Sequence, residues 1–528
     1  APLQEGHFTL DNYVRAYSDP ILLSTTVNTL VFSFGQMVVA VVIGTGLGWV
    51  VSRTNTPGRQ TFEILLIVLF LVPTLLAIVA WTLLLSPWKG LINSVVMAAL
   101  GLDESPFNVY SMGGMIFVQG LYLSPFAYLI IAPAFTSIDS GLEEAARMSG
   151  SSPLQTFARV TLPVVRPAIL SAAILMFIFG LESFDIPQLL GARERIFTYT
   201  SLIYAGLEVR TPADYGFSSA LSTSLLVTTA ICVFLYQRSI RHVTRFQTIT
   251  GKGYRAAIVD IGRWKWAAFT VCCVFFFITI VLPLAIILLG SFMTYFGRFD
   301  WGVFDRLTLE NYPRIFNHPQ LVEGFFNSAT LALTAGTVCV VLAAAVAFIS
   351  VKTRLRGRKW LDAVAMLPIS FPSTVLGVAL LWAWISIPLP IYGTLLILGV
   401  AYVTRYLPIC LRTVIGGVVQ ISDEMEAASK MCGASWLLTF RRIILPLLKP
   451  TLIAAWLMLF LIFMRELSMS IILSGPGNPV ISVVMFDYYE SGELPPLAAT
   501  SFLLIAVTVA VVLVSRRIFK VRYSEMRM

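Results

Sequence analysis

Apolar runs of about twenty residues, separated by short polar or basic segments, recur along the whole chain. A helix needs roughly 20 apolar residues to cross about 30 Å of hydrocarbon, so each such run predicts a membrane span. Five are expected in the first part, at about 24–51, 61–85, 112–134, 167–190 and 216–236. Six are expected in the second, at about 264–290, 325–351, 360–386, 392–412, 450–473 and 497–515. A run at about 91–100 is too short to cross; it follows Gly90 and precedes a polar turn, which predicts a helix outside the membrane core. The pattern as a whole predicts an all-α polytopic membrane protein.

The polar segments between the runs repeat. Residues 143–163 read EEAARMSGSSPLQTFARVTLP, and residues 426–446 read EAASKMCGASWLLTFRRIILP. An offset of 283 places Glu143 on Glu426, Ala145 on Ala428, Gly150 on Gly433, Arg159 on Arg442, and Leu162-Pro163 on Leu445-Pro446. Further upstream the offset is 299, which places Asn28 on Asn327, Arg59 on Arg358 and Pro73 on Pro372. The chain therefore reads as a first half over 1–245, a linker over 246–263 and a second half over 264–528. The shift in offset means the first half carries about 16 extra residues, in the segment containing Trp88–Pro106. At an offset of 299 the span 264–290 has no upstream counterpart. One further N-terminal helix is expected in the intact protein, giving about six spans in each half.

Composition agrees with this pattern. The chain of 528 residues is 57% hydrophobic and 12% charged, with a mean hydropathy of +0.83; ordinary soluble domains carry about 25% charged residues. The net charge of +9 lies in the loops between spans and is not read as a nucleic-acid footprint. With the repeated segments placed inside, the inner segments hold 26 Lys and Arg and the outer ones eight. The positive-inside rule then predicts a cytoplasmic C-terminus. The six cysteines and three histidines have no metal-ligand spacing, and no Ser/His/Asp or Cys/His grouping suggests catalysis. A phosphate-binding G-x-x-x-x-G-K-[ST] loop is also missing; Gly251-Lys252-Gly253 lacks the spacing.

The two repeated segments resemble the EAA loop of ABC-importer permeases: E-A-A, three residues in the first segment and four in the second, Gly, nine residues, a β-branched residue, one residue, Leu-Pro. The resemblance covers nearly the whole chain and implies two fused permease halves of the type I class, with loops at 139–166 and 418–449. In that family the loop helix plugs into an ATPase. The resemblance assigns ATPase coupling to Glu143, Glu144, Ala145, Ala146 and Gly150, and to Glu426, Ala427, Ala428 and Gly433. Alanines let a partner approach closely, and the glutamate can pair with a basic residue at the rim of the ATPase groove. Gly150 and Gly433 can end the helix at positive φ, and the Leu-Pro that follows is expected to break the segment. Arg159 and Arg442 sit where anionic lipid head groups would attract them. The phrases at 105–135 and 182–191 resemble the ferric-iron permease branch, with thiamine, polyamine and aminoethylphosphonate permeases as near relatives.

The resemblance further implies two copies of a cytoplasmic ABC ATPase, which would hold the ATP and Mg, and a periplasmic or lipid-anchored substrate-binding protein. No cofactor is expected in this chain, and the location implied is the bacterial inner membrane. The outer loops at 86–111, 191–215, 291–324 and 474–496 are the expected docking surface for the binding protein. Glu182, Asp185 and Glu466 are placed inside spans, with Glu182 on Glu466 at an offset of 284. An acid at the bilayer centre costs roughly 2.5–3.5 kcal/mol, so it faces a cavity or a partner. The matched acids could line a cation path; alternatively Glu466 pairs locally and Glu182 caps a broken helix near Pro187. An ion-coupled secondary transporter is the rival class, and the paired loops argue against it.

Overall fold

The structure is a computed structural model. It describes residues 9–243, 258–297, 301–353, 355–386, 391, 393–475 and 477–519. The expected linker lies outside the described residues as far as residue 257, as does Gly251-Lys252-Gly253. Among the described residues nine helices are long and apolar enough to cross a membrane. The chain divides into two compact units, Thr9–Asn311 with Gly492–Ala499, and Tyr312–Ser491 with the residues from Thr500 onward.

The first unit is built on α1 (Ile21–Arg53), a helix of 33 residues. At 1.5 Å per residue it is about 50 Å long, more than a bilayer core requires. A turn with Gly58 at φ 71° leads into α2 (Arg59–Leu71) and α3 (Thr74–Leu85). These two helices are the expected span 61–85, broken at Pro73. Proline lacks an N–H and pushes the residue before it out of the helical region, and Val72 is extended. The freed Val72 carbonyl accepts the Tyr122 hydroxyl at 2.9 Å. The short helix α4 (Leu91–Leu100) forms as expected. It is pinned by buried Asn93, whose amide donates to the carbonyls of Leu85, Ser86 and Phe107.

Next come α5 (Met112–Thr136), the loop helix α6 (Ser140–Met148), and α7 (Leu162–Glu182). The short buried helix α8 (Tyr199–Tyr204) and α9 (Tyr215–Val243) follow. The span after the linker, α10 (Trp264–Ser291), packs within this first unit. Its Phe276 stacks on Phe62 at 5.5 Å and joins Leu47, Val51, Leu66 and Tyr128 in one core. The repeat boundary after residue 263 is therefore not the packing boundary.

The second unit repeats the plan. The helix α11 (Pro319–Lys352) has 34 residues and, like α1, ends on a basic residue. Gly357 at φ 92° makes the turn that Gly58 makes in the first unit. The span expected at 360–386 is α12 (Arg358–Met366), a 3-10 turn and α13 (Ser373–Ser386), bent by 107° at Pro372. Arg405 stands where Tyr122 stands in the first unit. It donates to the Pro368 and Ile369 carbonyls at 3.3 and 3.4 Å and to Ser373 Oγ at 3.2 Å. The remaining elements are α14 (Leu395–Val419), the loop helix α15 (Asp423–Met431), α16 (Leu445–Phe463) and α17 (Ile481–Glu490), with α18 (Leu494–Phe519) from Thr500 onward.

Candidate functional site

The repeated loops begin and end alike. Asp139 caps α6, its carboxylate accepting the Gly141 N–H at 2.9 Å. At the other end the Gly150 N–H donates to Arg147 O and the Ser151 N–H to Ala146 O, with Gly150 at φ 84°. This is a Schellman closure, which favours glycine at its left-handed position. In the second loop the Ala434 N–H donates to Ser429 O, with Gly433 at φ 77°. Both glycines therefore adopt the conformation expected of them.

The Glu143 side chain faces inward. It is 4% exposed. Its carboxylate accepts the Arg53 guanidinium and, at 2.8 Å, the Thr161 hydroxyl. Both of these contacts lie inside the first unit. Glu144, Ala145 and Gly150 are exposed, and Ala146 is half-buried. In the second loop Ala427, Ala428 and Gly433 are exposed, while the Glu426 side chain lies outside the described ones. At an offset of 283 the exposed Glu144 meets Ala427, so the two loops present different chemistry at that position.

The Leu-Pro pairs do not break their segments. Residues 153–182 and 440–463 run as continuous helices. A π-helical turn precedes each Leu-Pro, with the Leu162 N–H donating to Phe157 O and the Leu445 N–H to Phe440 O. The wider turn lets the helix continue past a residue that has no N–H to give. Arg159 and Arg442 are exposed on these turns.

The acids lie at helix breaks rather than well inside straight spans. Glu182 is the last residue of α7, and Glu466 comes just after α16 ends at Phe463. Glu466 is 8% exposed. Its carboxylate accepts the Tyr406 hydroxyl and the Met469 N–H, the latter at 3.1 Å, just ahead of the short helix Ser470–Leu473. The residue at Tyr406's place in the first half is Leu123. Glu182 and Asp185 are half-buried.

A matched clamp holds the chain beyond each break. Asn28 donates to Phe197 O at 3.3 Å, and the Tyr199 N–H donates to Thr29 Oγ1 at 3.0 Å. Asn327 donates to Pro479 O at 2.9 Å, and the Ile481 N–H donates to Ser328 Oγ at 2.9 Å. Each long helix thus seizes the start of a buried short helix, α8 or α17. Sequence reasoning aligned the asparagines without giving them a task, and it counted Arg53 and Lys352 only as positive charge. Their common place at the end of an apolar run was the available signal. Among the described residues no group of three His, Cys, Asp or Glu side chains could hold a metal ion.

Residues 40–248 and 336–525 each match the family of binding-protein-dependent transport system inner membrane components. Among similar proteins is the ferric transport system permease protein FbpB of Actinobacillus pleuropneumoniae. It is 27% identical over 513 residues, spanning 96% of this chain and 72% of that protein. The Fe(3+)-transport system permease protein FbpB 2 of Haemophilus influenzae is 22% identical over 91% of this chain and 86% of its own length. The spermidine/putrescine transport system permease protein PotB of Escherichia coli is 27% identical, over 44% of this chain and 83% of that protein. The family match occurs twice and falls on the two halves that carry the repeated loops: the chain belongs to the binding-protein-dependent transport system inner membrane components, as a fused two-half ABC importer permease.

Proposed function

We propose that this permease carries ferric iron across a bacterial inner membrane, driven by two copies of a separate cytoplasmic ATPase, one on each loop. The observation that carries the coupling reading is the pair of register-matched loop helices, each closed by a left-handed glycine and each exposing alanines at its surface. A periplasmic or lipid-anchored binding protein delivers the substrate. ATP and Mg belong to the ATPase subunits, and the C-terminus lies in the cytoplasm. Exposed Arg159 and Arg442 meet anionic lipid. Support for iron comes from relatives that align with both halves, whereas the polyamine relative aligns with 44% of the chain.

Glu182 and Asp185 are our candidates for a cation path. Glu466 remains a candidate beside them, its carboxylate accepting the Tyr406 hydroxyl and the Met469 N–H. Replacing Glu182 and Glu466 together with Gln should abolish uptake and spare ATPase docking; normal uptake by that double variant would end the path reading. The substrate is tested by ATP hydrolysis of the assembled complex in lipid nanodiscs. Stimulation by an iron-loaded binding protein and not by a spermidine-loaded one is the expected result. The reverse would move the substrate to the polyamines.

A further inference from the structure

We propose that the buried Arg53–Glu143 pair is a strut that makes the first loop helix and the long helix α1 one rigid body, with both residues acting as positioning residues in coupling. The proposal rests on the coupling reading of the loops. Arg53 is fully buried and is the last residue of α1. Its guanidinium donates to Glu143 and, at 3.5 Å, to the Ile138 carbonyl just before the loop helix. Its own carbonyl accepts the Val259 N–H at 2.7 Å, so the chain entering α10 is tied to the same point. Thr161, just before the Leu-Pro, closes the arrangement from the α7 side.

Burying such a pair is a poor route to stability alone. Desolvating two charges offsets most of their attraction, and well-packed apolar residues of similar volume often serve as well or better. What an ion pair with hydrogen bonds supplies is a fixed distance and direction. The same place in the second unit carries the same device in another form: Lys352, the last residue of α11, donates to the Ile421 carbonyl at 2.7 Å. Ile421 is Ile138 at an offset of 283.

The far part of α1 gives the strut its consequence. Asn28 and Thr29, near the opposite end of that helix, hold the start of α8. Over roughly 35 Å of unbroken helix, a displacement of the loop is delivered to the segment beyond the Glu182 break. Without the strut the loop could follow the ATPase while α1 stayed behind.

The test uses the assembled complex in nanodiscs. An apolar replacement, Arg53→Met with Glu143→Leu, removes both charges while keeping volume. It should keep the ATPase bound and lower substrate uptake per ATP hydrolysed by about tenfold. Arg53→Lys copies the second half and should keep uptake within about twofold of the unmodified protein. Uptake per ATP at the unmodified level in the apolar variant would overturn the proposal. If that variant does not reach the membrane, a second apolar pair, Arg53→Leu with Glu143→Met, replaces it with the same expectations. If the unmodified permease binds no ATPase, the coupling reading fails, and amide exchange decides the strut separately. Exchange across 140–148 should then be about tenfold faster in the apolar variant and unchanged in Arg53→Lys. Equal exchange in both would overturn the strut.

Discussion

In the first unit the long helix ends on an arginine buried against Glu143. In the second, its counterpart ends on Lys352, held to a carbonyl. The break at Pro73 is capped by a tyrosine and the break at Pro372 by an arginine. The two halves therefore share a backbone and differ in side-chain chemistry. What recurs is the set of features that fix the path of the chain: the proline breaks, the left-handed glycines, the π turns and the asparagine clamps. What differs is where charge sits. Arg405 places a cation at a helix break where the first half has a neutral phenol, and Glu144 gives one loop an exposed acid where the other has Ala427.

The comparison is best broken at the helix breaks. Arg405→Met removes three hydrogen bonds, although the Pro368 carbonyl keeps the Phe371 N–H, and should cost about 2–3 kcal/mol; Tyr122→Phe removes one bond and should cost about 1 kcal/mol. Thermal unfolding of the two variants in the same detergent checks the order, and equal shifts would deny the difference between the halves. Next in size, Gly150→Ala and Gly433→Ala each force a side chain into the left-handed region, at about 1–2 kcal/mol apiece. Because the closures match, the two variants should lose similar stability; a large inequality would show that the loops are not equivalent.

Smaller effects come from the clamps. Asn28→Ala and Asn327→Ala should each cost about 1 kcal/mol and speed amide exchange in α8 and α17 respectively. The smallest concerns the strap at the foot of α10. Asp260 accepts the Gly262 N–H at 2.9 Å and the Asn55 amide at 2.5 Å, which hold its carboxyl below the usual carboxylate range. A depressed value stabilises the folded strap above the ordinary carboxylate pKa, and that contribution disappears as pH falls through the lowered value. Exchange at Gly262, corrected for its intrinsic pH dependence, should rise only in that acidic window, and Asp260→Asn should remove the dependence.

Most of the architecture was legible in the sequence because apolar length is a strong signal. The spans near 24–51, 112–134 and 325–351 emerge as helices somewhat longer than their apolar runs. The spans at 61–85 and 360–386 are each one apolar run in the sequence because hydropathy averages over a proline, whereas Pro73 and Pro372 interrupt the hydrogen bonding itself. The Leu-Pro pairs misled in the opposite direction, since a π turn two residues ahead of each proline carries the helix past it. Packing across the repeat boundary was not legible at all: nothing in the run at 264–290 says that Phe276 will stack on Phe62. In the loops, the glycine conformations followed from residue type. The inward turn of Glu143 depended on Arg53, ninety residues away in the chain, and on Thr161.

The central claim, that both loops engage an ATPase, is tested most directly by cross-linking. Glu144→Cys and Ala427→Cys, placed separately in a background with the six native cysteines replaced by serine, expose a thiol on each loop. Each variant should cross-link to the ATPase subunit, and a chain carrying both should capture two ATPase copies. Cross-links from neither loop, in a complex that still transports, would contradict the account.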